Sequence, residues 1–131
     1  MAAINIKTPG VHHVGFRSSD LKRSKKFYAD LLGFPILLDT EGLLIVGIGN
    51  FALAVKGDDA KTPKNDAFDP FRVGLDHLAL ACASTEEIDR VAKLLKENKV
   101  WTEGPKTDAT LGKYYVAFKD PDGIKLELYQ V

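Results

Sequence analysis

The chain has 131 residues, 45% of them apolar and 27% charged, which is the range of one compact domain with a substantial core. Lysine plus arginine equals aspartate plus glutamate at 18 each, and no basic run is interleaved with aromatics, which argues against a nucleic-acid partner. No stretch approaches the roughly 18 apolar residues that cross a bilayer, and MAAINIKTPG has neither a signal-peptide core nor an arginine-rich transit pattern, so a cytoplasmic protein without a membrane partner is expected.

In chain order, VHHVGFR reads as an alternating apolar strand, followed by Asp20 as an N-cap and by Leu21, Phe27, Tyr28, Leu31 and Leu32 at three-to-four spacing. Gly33 with Phe34-Pro35 ends that helix. Strand-like runs follow at 35–39, 42–48 and 51–56. GDDAKTPKNDAFDPFR is polar and proline-containing and reads as a linker or lid over 57–73, in which Phe68, Phe71 and Arg72 either close over a site or anchor the segment.

The pattern then repeats at an offset of about 64 residues. LDHLALAC is the second histidine-bearing strand. Ser84 with Glu87 three residues on forms a capping box, and Ile88, Val91, Leu94 and Leu95 supply the buried stripe. Strands are expected at about 99–103, 113–119 and 123–130. The reading is therefore α+β: two βαβββ modules, about 8–56 and 74–131, within one domain over 1–131.

Alternation along the strands groups Val11, His13, Gly15 and Arg17 on one face, against His12, Val14 and Phe16. It likewise groups Leu75, His77, Ala79 and Ala81 against Asp76, Leu78, Leu80 and Cys82. The bulkier apolar sets belong under the helices, which leaves His13 and His77 on the opposite face, each followed by a small residue. In the last strand Lys125, Glu127 and Tyr129 share that face, and in the strand before it Tyr115, Ala117 and Lys119 do so. Two imidazoles and a carboxylate form a plausible first shell for one divalent ion with open positions. A strand histidine taken singly is more often structural or solvated; the repeat relation between the two raises the joint case.

Arg17 is a candidate for holding a carboxylate or phosphate, against the plainer reading of a surface ion pair. Tyr115 is the candidate substrate contact, and Trp101 belongs to a core or a subunit interface. Cys82 has the wrong parity to join His77 and can form no disulfide within the chain, so it reads as an inert buried thiol. His12 has the wrong parity to join His13 and reads as a capping or solvated side chain.

These residues resemble the vicinal oxygen chelate superfamily, which includes glyoxalase I, fosfomycin-resistance thiol transferases, methylmalonyl-CoA epimerase, extradiol dioxygenases and bleomycin-resistance proteins. The carriers are HHVGFRSSDLKRSKKFYADLLGF, GLDHLALAC and YYVAFKDPDGIKLELYQ, together nearly the whole chain. The most specific piece is the Asp-Pro-Asp-Gly turn followed by a strand bearing a glutamate. The resemblance implies two βαβββ modules around a partly closed cleft, with His13, His77 and Glu127 at the metal-ligand positions. It also implies a small-molecule substrate, a homodimer, and one divalent metal ion: Zn, Ni, Co, Mn or Fe.

Four-ligand relatives such as glyoxalase I add a ligand from the last strand of the first half; aligning GNFALAV with GIKLELY puts Ala54 opposite Glu127, and Ala54 cannot coordinate. Fosfomycin enzymes carry threonine and tyrosine where Gly15 and Ala117 stand. The implied activity is a metal-dependent lyase or isomerase of the glyoxalase type, with Glu127 and Tyr115 at the reaction and Arg17, Tyr115 and Arg72 against substrate. An extradiol dioxygenase using Fe(II), or a non-catalytic small-molecule binding protein, is the alternative.

Overall fold

The computed structural model describes residues 2–131 and divides into two compact units, the first ending at Thr62 and the second running from Pro63 to Val131. In the first, strand β1 (His13–Arg17) leads to helix α1 (Leu21–Lys25), which continues as a wider π-helical segment (Lys26–Leu31), and then to β2 (Ile36–Asp39), β3 (Leu43–Ile48) and β4 (Phe51–Lys56). The second repeats the order with β5 (Leu78–Cys82), α2 (Thr85–Glu97), β6 (Thr102–Thr107), β7 (Tyr114–Lys119) and β8 (Lys125–Gln130).

Each unit holds a four-stranded mixed sheet, ordered β1-β4-β3-β2 in one and β5-β8-β7-β6 in the other. The first strand lies parallel to the last, and the remaining pairs are antiparallel. The expected α+β architecture of two βαβββ modules is thus the one observed. No helix among the described residues is long and apolar enough to cross a membrane.

Strand alternation sets the core as expected. Phe16, Leu44, Val46, Leu53 and Val55 are buried on one face of the first sheet. In the second, Val116 packs with Cys82, Ile88 and Ala92, and Tyr114 and Leu128 cover that cluster. Burying each such aliphatic side chain contributes roughly 1.5–3 kcal/mol, and a single alternating face per strand is enough to collect them.

The two helices differ. Asp20 accepts from the Arg23 amide at 3.1 Å and starts α1 as the sequence predicts. The Leu32 amide then donates to the Phe27 carbonyl at 2.9 Å, five residues back, so the turn is widened. Widening moves the buried phase: Phe27 and Tyr28 are buried, whereas Leu31, expected in the stripe, is 40% exposed.

Helix α2 is regular. Ser84 accepts from the Glu87 amide at 3.1 Å. The reciprocal arm of the capping box is absent from this arrangement, because the Glu87 carboxylate takes two hydrogen bonds from Arg90, at 2.8 and 2.6 Å. The stripe runs through Ile88, Ala92 and Leu95 rather than through Leu94, which is exposed.

Strand β6 departs from the expected 99–103. Pro105 belongs to it, because β6 is the sheet edge and a bulge between Thr102 and Pro105, with Gly104 at φ +80°, removes the need for a ladder donor there. Thr102 stabilises the bulge by donating from its hydroxyl to the Ala117 carbonyl and accepting from the Gly104 amide.

Candidate metal centre

In the second half, Glu127 projects from β8 on the face away from α2 and is only 7% exposed. Its Oε1 lies 3.3 Å from His77 Nε2, and its Oε2 lies 3.9 Å from Lys125 Nζ. A carboxylate buried to this degree needs a charged or donating partner, and the imidazole is the nearer of the two. Strand β8 is fixed behind it by the Asp-Pro-Asp-Gly turn, in which Asp120 Oδ1 accepts from the Asp122 and Ile124 amides, both at 2.9 Å.

His77 precedes β5 rather than lying within it, so strict alternation does not reach it. That is why Asp76, expected on the helix side, instead brings Oδ1 to 2.6 Å from His77 Nδ1. With Nδ1–H donating to the Asp76 carboxylate, Nε2 is the nitrogen turned toward Glu127. The same contact holds the Asp76 carboxyl below its ordinary range, chiefly through the hydrogen bond from His77.

In the first half, His13 opens β1 and is exposed. His12 lies just before the strand, and its Nδ1 is 2.8 Å from His13 Nδ1, so the two rings meet despite the parity argument that separated them. One nitrogen donates and the other accepts. His12 is to His13 what Asp76 is to His77, each neighbour reaching the Nδ1 of the candidate ligand. Sequence alternation misses both contacts, and their one written signal is a hydrogen-bonding residue directly before each histidine.

The strand registers test the assignment of Ala54. Gly15 pairs with Ala54 and Ala79 pairs with Glu127, and His13 and His77 each stand two residues before the glycine or alanine. Ala54 therefore occupies the register position of Glu127. Among the described residues, no three His, Cys, Asp or Glu side chains are gathered into a group able to hold a metal. The second unit brings together His77 and Glu127, and His13 lies in the first unit.

Tyr115 faces the same side as Glu127 and stacks on Tyr129, with ring centroids 5.8 Å apart and an interplanar angle of 28°. The Tyr129 hydroxyl donates to Asp108 Oδ2 at 2.7 Å, and this hydrogen bond first, with burial and the nearby negative charge, pushes the phenol up to about 12. Arg17 Nη1 donates to the Gly57 carbonyl at 2.7 Å and stands 3.6 Å from Asp59. Its guanidinium borders an open cavity of about 620 Å³ in the first half, with Asp20, Lys22, Glu41 and Lys56. Arg72 is exposed in the segment before β5, where Phe68 is anchored through its amide to the Asp122 carbonyl at 2.9 Å and Phe71 is 94% exposed. Cys82 is buried, with Sγ donating to the Ser84 carbonyl at 3.4 Å, as an inert thiol should be.

The family model of the Glyoxalase/Bleomycin resistance protein/Dioxygenase superfamily matches residues 10–128. Protein YwkD of Bacillus subtilis is 31% identical over 125 residues, covering 92% of this chain and 95% of its own. The metallothiol transferase FosB of Staphylococcus haemolyticus is 30% identical over 121 residues, covering 92% and 82%. Among solved structures, a glyoxalase family protein from Enterococcus faecalis superposes with a TM-score of 0.75 at 31% identity, covering 92% of this chain and 97% of that one. The chain belongs to the glyoxalase/bleomycin resistance protein/dioxygenase superfamily.

Proposed function

We propose that the chain is a divalent-metal-dependent enzyme of the glyoxalase type, a lyase or isomerase acting on a small metabolite that offers two neighbouring oxygens, with His13, His77 and Glu127 as the metal ligands. The observation that carries this reading is the pair of His77 Nε2 and a buried Glu127 oxygen 3.3 Å apart, with the imidazole already held from behind by Asp76. A histidine fixed through its other nitrogen by a carboxylate is the usual support of a metal ligand. The donor set suits Zn, Ni, Co, Mn or Fe, and a 2-His-1-carboxylate shell leaves positions open for substrate.

When bound, such an ion supplies Lewis-acid stabilisation of negative charge developing on the substrate oxygens. The chain's own side chains do the rest. Glu127 and Tyr115 share the open face of β7 and β8, so Tyr115 is the group proposed to contact substrate and exchange a proton with it. Ala54, at the register position that matches Glu127, offers no carboxylate, so that position of β4 supplies no base. Arg17 and Arg72 are proposed for an acidic part of the substrate; Arg17 is exposed and gives up its exposed Asp59 partner at little cost. A homodimer is supported by family membership and by exposed apolar side chains such as Leu37, Phe71 and Leu111 that a second copy would cover.

Thiol transfer is a second reading, favoured by the 30% identity to the Staphylococcus haemolyticus metallothiol transferase. Metal analysis of the purified protein is the first test. One ion per chain is expected, with loss of metal in His13→Ala, His77→Ala and Glu127→Ala; no stoichiometric metal and unchanged behaviour of these variants would overturn the proposal. With metal loaded, consumption of a methylglyoxal–thiol adduct marks the lyase, adduct formation between a thiol and an epoxide marks the transferase, and oxygen uptake with catechols marks a dioxygenase.

A further inference from the structure

We propose that Lys119 and Lys125 form an anion-binding pair beside Glu127 that takes a carboxylate or phosphate group of the substrate, separate from any acidic part met by Arg17 or Arg72. The proposal rests on the reading of Glu127 as a metal ligand and deepens it by naming the substrate class: a small acid or phosphate ester whose anionic group lies a few bonds from two neighbouring oxygens.

The two lysines are direct partners across β7 and β8, on the same face as Tyr115, Ala117, Glu127 and Tyr129. Like charges placed directly opposite on a sheet are unfavourable. Among the described residues, neither ammonium holds a carboxylate closer than 3.9 Å. Lys119 Nζ stands 4.3 Å from the centroid of the Trp101 ring, which holds a cation without neutralising it. Lys125 Nζ has Glu127 at 3.9 Å, and the other oxygen of that carboxylate already faces His77. Glu103 is tied to Lys106 by an ion pair. Its carboxyl is lowered first by Lys106, with further contributions from Lys125 and Lys119, so the three ammonium groups share one neighbourhood.

The carboxylates around these ammonium groups each have another engagement: Glu103 pairs with Lys106, Asp76, whose carboxyl Lys125 also helps to lower, accepts from His77, and Glu127 is assigned to the metal. Once Glu127 is committed there, Lys125 loses its nearest counter-charge and the face gains positive charge at its Lys119–Lys125 end. Lys125 lies two positions along β8 from Glu127, about 7 Å between Cα atoms. An anionic group seated between the lysines therefore lies within a short carbon chain of oxygens held near Glu127. The stacked Tyr115 and Tyr129 rings bound the other end of the same face.

The test uses the full chain, metal-free, titrated with inorganic phosphate and followed by backbone amide shifts, beside Glu127→Gln, which removes the nearest counter-charge of Lys125 as a bound metal would and should bind phosphate more tightly. Saturable shifts are expected around residues 101–106, 115–119 and 125–127. In the double variant Lys119→Gln/Lys125→Gln, affinity should fall by ~10-fold or more, while Lys93→Gln on the exposed side of α2 leaves it unchanged. Unchanged affinity in the double variant, or shifts spread evenly over surface lysines as for an adventitious ion only, would each overturn the proposal. Loss of metal binding in Glu127→Ala with phosphate binding retained would support both readings, whereas retained metal with lost phosphate binding in the lysine variant separates them.

Discussion

The two halves run through the same order of strand, helix and three strands, yet they treat one register position in opposite ways. Where the second half places Glu127 opposite Ala79, the first places Ala54 opposite Gly15. The neighbours of the two histidines differ in the same sense. Asp76 accepts a hydrogen bond from His77, while His12 shares a proton with His13. The second half therefore concentrates carboxylates around its histidine, and the first presents an imidazole pair beside small residues. One repeated scaffold thus carries a carboxylate-rich and a carboxylate-free version of the same corner.

The strongest way to break this comparison is to write the second half into the first. Ala54 is 8% exposed and has no cationic partner across the strands, since its neighbours are Gly15 and Ile45. Ala54→Glu should therefore cost about 3–5 kcal/mol in metal-free protein, as an uncompensated buried charge does. Chemical denaturation measures it, and a cost near zero would mean that the position tolerates charge and that the halves differ less than their burial suggests. Recovery of stability on adding a divalent ion would show the new carboxylate acting as a fourth ligand.

The helices provide the next largest contrast. Ile88 is fully buried in regular α2, so Ile88→Ala should cost about 2–5 kcal/mol. Leu31 stands at the repeat position of Leu95, which is also buried, but the widened turn exposes it, and Leu31→Ala should stay within about 0.5 kcal/mol. Equal losses at both sites would mean that the first helix is regular in solution.

Much of this fold was legible because alternation and spacing are direct records of burial. Val116 and Phe118 against Tyr115 and Ala117, the caps at Asp20 and Ser84, and the match of Ala54 with Glu127 all follow from them. The remainder lies where those periods stop. His12 and Asp76 precede their strands, so a rule that sends neighbours to opposite faces assigned both wrongly. The widened turn has no spelling that distinguishes Leu31 from Leu32. Pro105 reads as a strand breaker until β6 is known to be a bulged edge. Of the candidate site, the shared face of Tyr115 and Glu127 was readable from alternation, while the pinning of His77 by Asp76 required backbone geometry.

That pinning gives the third prediction. Asp76→Asn removes the carboxylate that fixes the His77 tautomer without emptying the space, and metal affinity measured by competition with a chelator should fall about 10- to 100-fold. His12→Ala should produce a smaller decrease, because His12 offers His13 a neutral partner. If the two substitutions weaken binding equally, the charge of Asp76 contributes nothing beyond orientation.

The smallest effect separates the loops that close the first hairpin of each half. The first half joins β2 to β3 through residues 40–42, closed by the Thr40 hydroxyl donating to the Leu43 carbonyl. The second uses the longer 108–113, in which Asp108 accepts from the Thr110 and Leu111 amides and from the Tyr129 hydroxyl beside the candidate site. Because the folded phenol is raised from 10.0 to about 12, its contribution to stability is complete below pH 10 and is lost as pH climbs through about 12. Asp108 is shifted down, first by that same hydrogen bond, so its contribution is present above its ordinary value of 3.8 and is lost as pH falls through the lowered folded value. Tyr129→Phe should flatten the alkaline decline of the unfolding midpoint and shrink the acid one, since it removes the largest cause of both shifts. Parallel midpoint curves for the variant and the natural chain would mean that the loop is held by its own amides and that Tyr129 is free to move with the substrate face.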